Sequence, residues 1–318
     1  MTTAFLILAG LVLLFLCGDL LVRNAVAVAY RLRISPLVIG LTVVALGTSA
    51  PELVVSIEAL LAGTSDIAVA NVVGSNIANI LLILGFAALM RPLETPAGGM
   101  SRDAGMLVLA SVVFGAAATG GAVVAWEGAA MLALLAAYLI YAYWNETRGA
   151  GGSASLYVRE AEESREDDRP LWRGLLYLAG SITGLIVGGD LLVIGAVDLA
   201  RAAGLSERVI GLTLVAAGTS LPELATCAAA ALRRHGDVAI GTVIGSNIFN
   251  ILLIVGIASI GGHLTVADAF IRQDLWVMLA SVLVLLPFLI RRRPLGRLPG
   301  GAFLAAYAAY VGAQFLLP

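Results

Sequence analysis

The sequence predicts an all-α polytopic membrane protein: ten transmembrane helices forming two inverted five-helix repeats, with both termini extracytoplasmic. Three observations predict it. Of the 318 residues, 60% are hydrophobic and only 13% charged, and the mean hydropathy is +0.98, a balance foreign to water-soluble domains. The apolar runs are about 20 residues long, the length of a spanning helix and twice that of a barrel strand. The chain also resembles itself at a constant offset of 171 positions.

Pro, Gly and charge clusters divide the chain into apolar stretches at 3–22, 36–62, 68–90, 103–119, 124–144, 173–197, 209–232, 238–260, 273–290 and 300–317. The first, MTTAFLILAGLVLLFLCGDLL, lacks the positive start and small-residue cleavage site of a signal peptide, and Leu16 before Cys17 does not suit a lipoprotein signal. It is read as a span. Asp19, four residues before Arg23, suggests an ion pair at a helix end. Cys17 and Cys227 lie in separate apolar runs and suggest no disulfide framework.

Arginine sets the orientation, since the chain has no lysine. Sixteen of the nineteen arginines follow odd-numbered spans; only Arg201, Arg208 and Arg272 follow even-numbered ones. The positive-inside bias puts the first set in the cytoplasm and both termini outside. The polar stretch 145–172 then becomes a cytoplasmic linker, too short for a core of its own. It separates an N-terminal half, 1–144, from a C-terminal half, 173–318.

The repeat gives the halves their relation. Gly18-Asp19-Leu20-Leu21-Val22 returns as Gly189-Asp190-Leu191-Leu192-Val193. Between Gly40–Gly85 and Gly211–Gly256 about 26 of 46 positions are identical without a gap. Five spans per half is odd, so the copies enter the membrane from opposite sides. Inverted repeats of this kind build secondary transporters, with the binding site near the midplane. The repeated segments occupy about 36–90 and 209–260.

Spans 2 and 7 carry GTSAPEL (47–53) and GTSLPEL (218–224); spans 3 and 8 carry GSNIANI (74–80) and GSNIFNI (245–251). An ionisable group at midspan costs at least about 2.5–3.5 kcal/mol, so Glu52 and Glu223 need a partner. No Arg lies at midspan, and neither His235 nor His263 is inside a span. The compensating charge must therefore come from outside the chain, as a metal ion or a proton. Thr48, Ser49 and Glu52 share a helix face, as do Ser75 and Asn79. Pro51 clashes with the carbonyl four residues back and loosens the carbonyls from Ala45 to Gly47. An all-oxygen set suits Ca²⁺, Na⁺ or Mg²⁺ and not zinc or copper, and flexible oxygens with two Glu favour Ca²⁺ over Mg²⁺.

Blander readings exist for single residues. Gly74 and Gly85 suit close helix packing, and Asn76 and Asn247 suit helix-to-helix hydrogen bonds. Glu58 suits a solvated helix end, as the run Glu160 to Asp168 suits a solvated face. Asp190 lacks an obvious cation and could face the ion pathway. The net charge of −2 offers no basic face for nucleic acid. With no H-E-x-x-H, no G-x-S-x-G and no G-x-G-D around Asp19 or Asp190, an enzyme is not expected, nor a cofactor. A cation channel and a proton-coupled Ca²⁺ antiporter remain alternatives to a Na⁺/Ca²⁺ antiporter.

At these paired motifs the sequence resembles the sodium/calcium exchangers of the cation/calcium antiporter superfamily, in particular the short prokaryotic members. The resemblance spans nearly the whole chain. It implies Na⁺/Ca²⁺ antiport in a bacterial cytoplasmic membrane, and sliding of spans 1 and 6 past a core. By position it implies ion ligands at Glu52, Asn79, Ser49, Ser75, Thr48 and the Ala45 carbonyl. Their counterparts are Glu223, Ser220, Thr219, Ser246 and the Ala216 carbonyl. Asn250 stands where some relatives, including potassium-dependent exchangers, have Asp, which argues against potassium cotransport.

Overall fold

The computed structural model describes residues 2–32, 34–95, 100–148, 170–202, 218–261, 264–268 and 270–316. The helices are α1 (Thr2–Leu32), α2 (Pro36–Thr48) and α3 (Ala50–Leu61), α4 (Ser65–Met90), α5 (Met100–Ala118) and α6 (Ala125–Arg148). After the linker come α7 (Leu171–Ala202), α8 (Leu221–Leu232), α9 (Gly236–Gly261) and α10 (Phe270–Ile290), and α11 (Arg297–Leu316).

Seven of these helices are long and apolar enough to cross a membrane, and α2 with α3, bent by 42° at Ser49, makes an eighth. The sequence suggests ten. The difference lies in two places. The first part of the expected seventh stretch, 209–217, is outside the described residues, leaving the twelve-residue α8. The tenth stretch is helical as α11, but its Gly, Tyr and Gln residues dilute its hydropathy.

Burial orders the bundle. The apolar windows of α4 and α9 are 78% and 83% buried, against 28% and 22% for α1 and α7. The repeated GSN helices are therefore the centre of the molecule, and α1 and α7 its lipid-facing flank. The core divides accordingly. One cluster gathers around α4 and α9, including Ile77, Ile80, Leu84, Ile248 and Ile251. A separate cluster joins α1, α7 and the start of α2 through Leu21, Ala25, Val28, Val38, Leu178 and Leu185.

Equivalent contacts recur in both halves, well beyond the stretch of obvious identity. Leu93 and Leu295 exchange backbone hydrogen bonds of 3.0 and 2.9 Å, and Val123 pairs with Leu264 in a two-stranded ribbon with Ala122 and Thr265. Gly85 meets Gly300 so closely that a Cβ on either would lie 3.0 or 2.8 Å from the other's carbonyl oxygen. Gly256 meets Gly128 in the same way, at 3.2 and 2.7 Å. Gly85 is thus a packing residue, as its sequence suggests. Gly74 is not one among the described residues, because nothing there lies within 4 Å of a Cβ built on it.

The Asp19–Arg23 pair forms at 3.1 Å, and Asp19 also takes the Arg233 guanidinium just past the end of α8. The contact ties the flanking α1 to the helix that carries Glu223. Glu58 and Asp190 are exposed. Cys17 and Cys227 are free.

Candidate ion-binding site

The first GTS-PE segment breaks its helix at Ser49, and in the second Ser220 stands at the matching place before α8. Ser49 has φ −81°, ψ 5° and Ser220 has φ −89°, ψ 6°, so the two serines share one geometry. Proline follows in the first turn of α3 and of α8, where no backbone N–H is needed. Glu52 and Glu223 consequently sit in first helical turns, where the N-terminal end of the helix dipole favours a carboxylate. The Ala45 carbonyl, expected as a ligand, accepts the Ser49 N–H at 2.9 Å and the Thr48 hydroxyl at 3.3 Å. Ala216 lies outside the described residues.

The two halves complete each other's sites. The Ser49 hydroxyl donates to Glu223 Oε1 at 3.3 Å, and the Ser220 hydroxyl donates to Glu52 Oε1 at 3.2 Å. Thr48 and Thr219 reach across in the same crossed fashion. Ser246 of α9 adds a contact to Glu223 Oε1 at 3.4 Å, and Ser75 is buried at the matching place on α4.

Two features hold this geometry. A Cβ on Gly241 would lie 2.6 Å from the Leu37 carbonyl oxygen, and one on Gly245 would strike that of Leu41. Only glycine lets α9 approach α2 so closely. Wide π-helical turns at Ala78–Leu84 and Asn250–Ile254 reset the helix face at Asn79 and Asn250, a common device at functional sites. Asn79 donates to Asn247 Oδ1 at 2.9 Å. Asn247 donates to the Asn76 carbonyl at 3.3 Å, and Asn76 to that of Val72 at 2.7 Å. Asn247 thus bonds helix to helix, as its sequence context suggests, whereas the Asn76 side chain bonds only within its own helix and leaves its Oδ1 without a partner.

What remains includes buried atoms with no partner: Oε2 of Glu52, Oε2 of Glu223, Oδ1 of Asn76 and of Asn79, Oγ1 of Thr242, and both amide atoms of Asn250. Each such buried orphan costs about 1–3 kcal/mol. A partner from outside the chain, an ion or an ordered water, removes that cost. The orphaned oxygens come from both halves, two belong to carboxylates, and none belongs to sulfur. Among the described residues no three His, Cys, Asp or Glu side chains gather, so the anionic part of the site is the glutamate pair. The donor set fits a hard cation, which would be cargo here rather than a resident cofactor.

Several contributors were not visible from spacing. Asn71 donates to the Glu52 carbonyl at 3.0 Å and to Ser56 Oγ at 2.9 Å, fixing α3 against α4. Asp103 accepts from Tyr138 at 2.9 Å, and Asp274 from Tyr310 at 2.8 Å. The 171-residue offset links the two aspartates and could have flagged them.

The sodium/calcium exchanger protein family model matches residues 2–144 and 173–316. The chain belongs to this family. Among its relatives, it is 36% identical to a protein described as "Putative antiporter CaxA", of Alkalimonas amylolytica, over 98% of this chain and 97% of that one. It is 33% identical to the sodium/calcium exchanger MaX1 of Methanosarcina acetivorans, over 99% of both. Among solved structures, the sodium-calcium exchanger NCX_Mj soaked with Na⁺ and Sr²⁺ superposes with a TM-score of 0.84 at 31% identity, over 98% of both chains. An exchanger of this family is a multi-pass membrane protein, in keeping with the apolar helices above.

Proposed function

We propose that the chain exchanges Na⁺ for Ca²⁺ across a bacterial cytoplasmic membrane, by alternating access at one central all-oxygen site. The observation that carries this reading is the set of orphaned buried oxygens on Glu52, Glu223, Asn79 and Asn250, contributed by both halves with no cationic side chain among them. Two glutamates give −2, which one Ca²⁺ balances. Na⁺ ions balance the same charge while sharing the hydroxyls of Ser49, Ser220 and Ser246. Both ions need the same carboxylates, so they compete, and competition at one site makes exchange.

The proposal includes ten spans as two inverted five-helix halves with both termini extracytoplasmic. The arginine bias supports it, as do the matched contacts Leu93–Leu295 with Val123–Leu264 and Gly85–Gly300 with Gly256–Gly128. Inversion provides two related gates, one per face. The printed names of MaX1 and NCX_Mj support the choice of ions.

Equilibrium binding tests the shared site. Purified protein should bind ⁴⁵Ca²⁺, and Na⁺ should displace it competitively at constant pH. Displacement by lowered pH but not by Na⁺ would replace this reading with proton coupling.

A further inference from the structure

A groove of about 460 Å³ runs between α10 and α11, with Leu81 of α4 also on its wall. Its walls are apolar, with Val277, Ala280 and Val284 on one helix and Phe303 and Ala306 on the other. One end is polar, closed by Gln273, Tyr310 and Gln314. The helical stretch from Gln273 to Val284 is about 16 Å long at 1.5 Å per residue, close to half of the roughly 30 Å hydrocarbon core. The groove therefore has the length of one leaflet and a polar group where headgroups lie. Its volume is that of a ligand pocket, and its walls offer too few polar partners to hold water.

Behind the polar end, bonded to two of its residues, lies a carboxylate. Asp274 is buried and accepts from Tyr310 and Gln314, each at 2.8 Å and each to the same carboxylate oxygen. Both donors are neutral. Arg272 faces solvent, 80% exposed, and pairs with Asp268 at 3.6 Å. The first half carries an internal comparison. Asp103 stands 171 positions earlier and also accepts from a tyrosine, Tyr138, but it has the guanidinium of Arg102 beside it. The position matching Arg102 is Gln273. One half supplies its own cation to the buried aspartate, and the other leaves that place beside a groove with room for one acyl chain.

We propose that this groove binds one phospholipid with an amine headgroup, its acyl chain between α10 and α11 and its ammonium in the field of Asp274. A buried carboxylate with neutral donors alone is strongly stabilised by a cation, and a headgroup amine is the cation that a membrane brings to that depth.

Native mass spectrometry of the full-length protein in detergent tests the site, with phosphatidylethanolamine or phosphatidylglycerol of identical acyl chains. The wild type should bind a first phosphatidylethanolamine at least about fivefold tighter than phosphatidylglycerol, the scale of one charge contact at a membrane surface. Asp274→Asn should bring the two lipids to equal affinity. Ala306→Trp, which fills the groove, should remove the tight adduct for both. Phosphatidylglycerol binding as tightly as phosphatidylethanolamine to the wild type would overturn the proposal, as would a tight adduct surviving Ala306→Trp. If Ala306→Trp does not fold, Ala280→Trp fills the groove from the other wall. If neither folds, a headgroup preference unchanged by Asp274→Asn is itself the overturning result.

Discussion

Replacing Glu52 by Gln keeps the side chain's shape and removes one of the two charges at the centre of the bundle. Its magnitude can be worked from the contacts. The hydroxyls facing the carboxylates are 3.2–3.4 Å away, longer than the usual O–H···O range of about 2.5–3.0 Å, so they orient the charges without neutralising them. The attraction for a cation thus rests on the carboxylates. One unit charge opposite another at 4 Å contributes about 4 kcal/mol at an effective dielectric of 20, and more opposite a divalent ion. The amide oxygen of Gln returns part of this as a neutral ligand. A loss of about 3 kcal/mol or more remains, at least a hundredfold in Ca²⁺ affinity. Stability should move the other way. Without ions Glu52→Gln removes an uncompensated buried charge, so its melting temperature should match or exceed that of the wild type. The wild type should gain about 2.7 kcal/mol when Ca²⁺ is at a hundred times its Kd, and the variant should gain almost none at that concentration. Calorimetric titration and thermal melts with and without Ca²⁺ read both effects. A variant within tenfold of wild-type affinity would refute the reasoning, as would one destabilised without ions yet still stabilised by Ca²⁺.

Other outcomes follow from single contacts. Ser220→Ala and Ser49→Ala each remove one crossed hydroxyl and should weaken Ca²⁺ binding roughly three- to tenfold, about 1 kcal/mol each, by the same titration. Gly245→Val drives a side chain into the Leu41 carbonyl and the Ala45 Cβ, so it should lower the melting temperature and abolish exchange. Gly301→Ala, with open space around it, should stay within about 0.5 kcal/mol of the wild type. A double-mutant cycle on Asp19 and Arg233, both about one-third exposed, should give a coupling below about 1 kcal/mol. Transport should be unchanged when choline is replaced by K⁺, since Asn250 brings no third carboxylate; Asn250→Asp should create K⁺ sensitivity.

The order of the helices and the break at GTSAPEL were legible because Pro, Gly and Arg act locally. Glu52 and Glu223 stood out as candidate site residues because burial of a midspan carboxylate without a cation has few physical solutions, and Asn79 and Asn250 through the repeated GSN motif; the structure buries all four. Spacing arguments join residues on one helix, so they grouped Ser49 with Glu52. The structure pairs Ser49 with Glu223 and Ser220 with Glu52, a crossing that depends on how the halves meet and not on any local pattern. Arg233 was hidden for the same reason, since its contact with Asp19 is 214 positions away in sequence. The carbonyl reading was too simple. Pro51 does break the helix, but Ala45's carbonyl keeps hydrogen bonds from Ser49 and Thr48. The count of spans was blurred at α11, where small and polar residues suited to packing against Gly85 lower its hydropathy.

The most direct test of the central claim is ⁴⁵Ca²⁺ flux in proteoliposomes with Na⁺, H⁺ and voltage gradients set independently. Uptake driven by an outward Na⁺ gradient at equal pH, absent with choline and lost in Glu52→Gln, is the predicted result. Uptake driven by a pH gradient without Na⁺, or Ca²⁺ flux without any counter-ion, would contradict it.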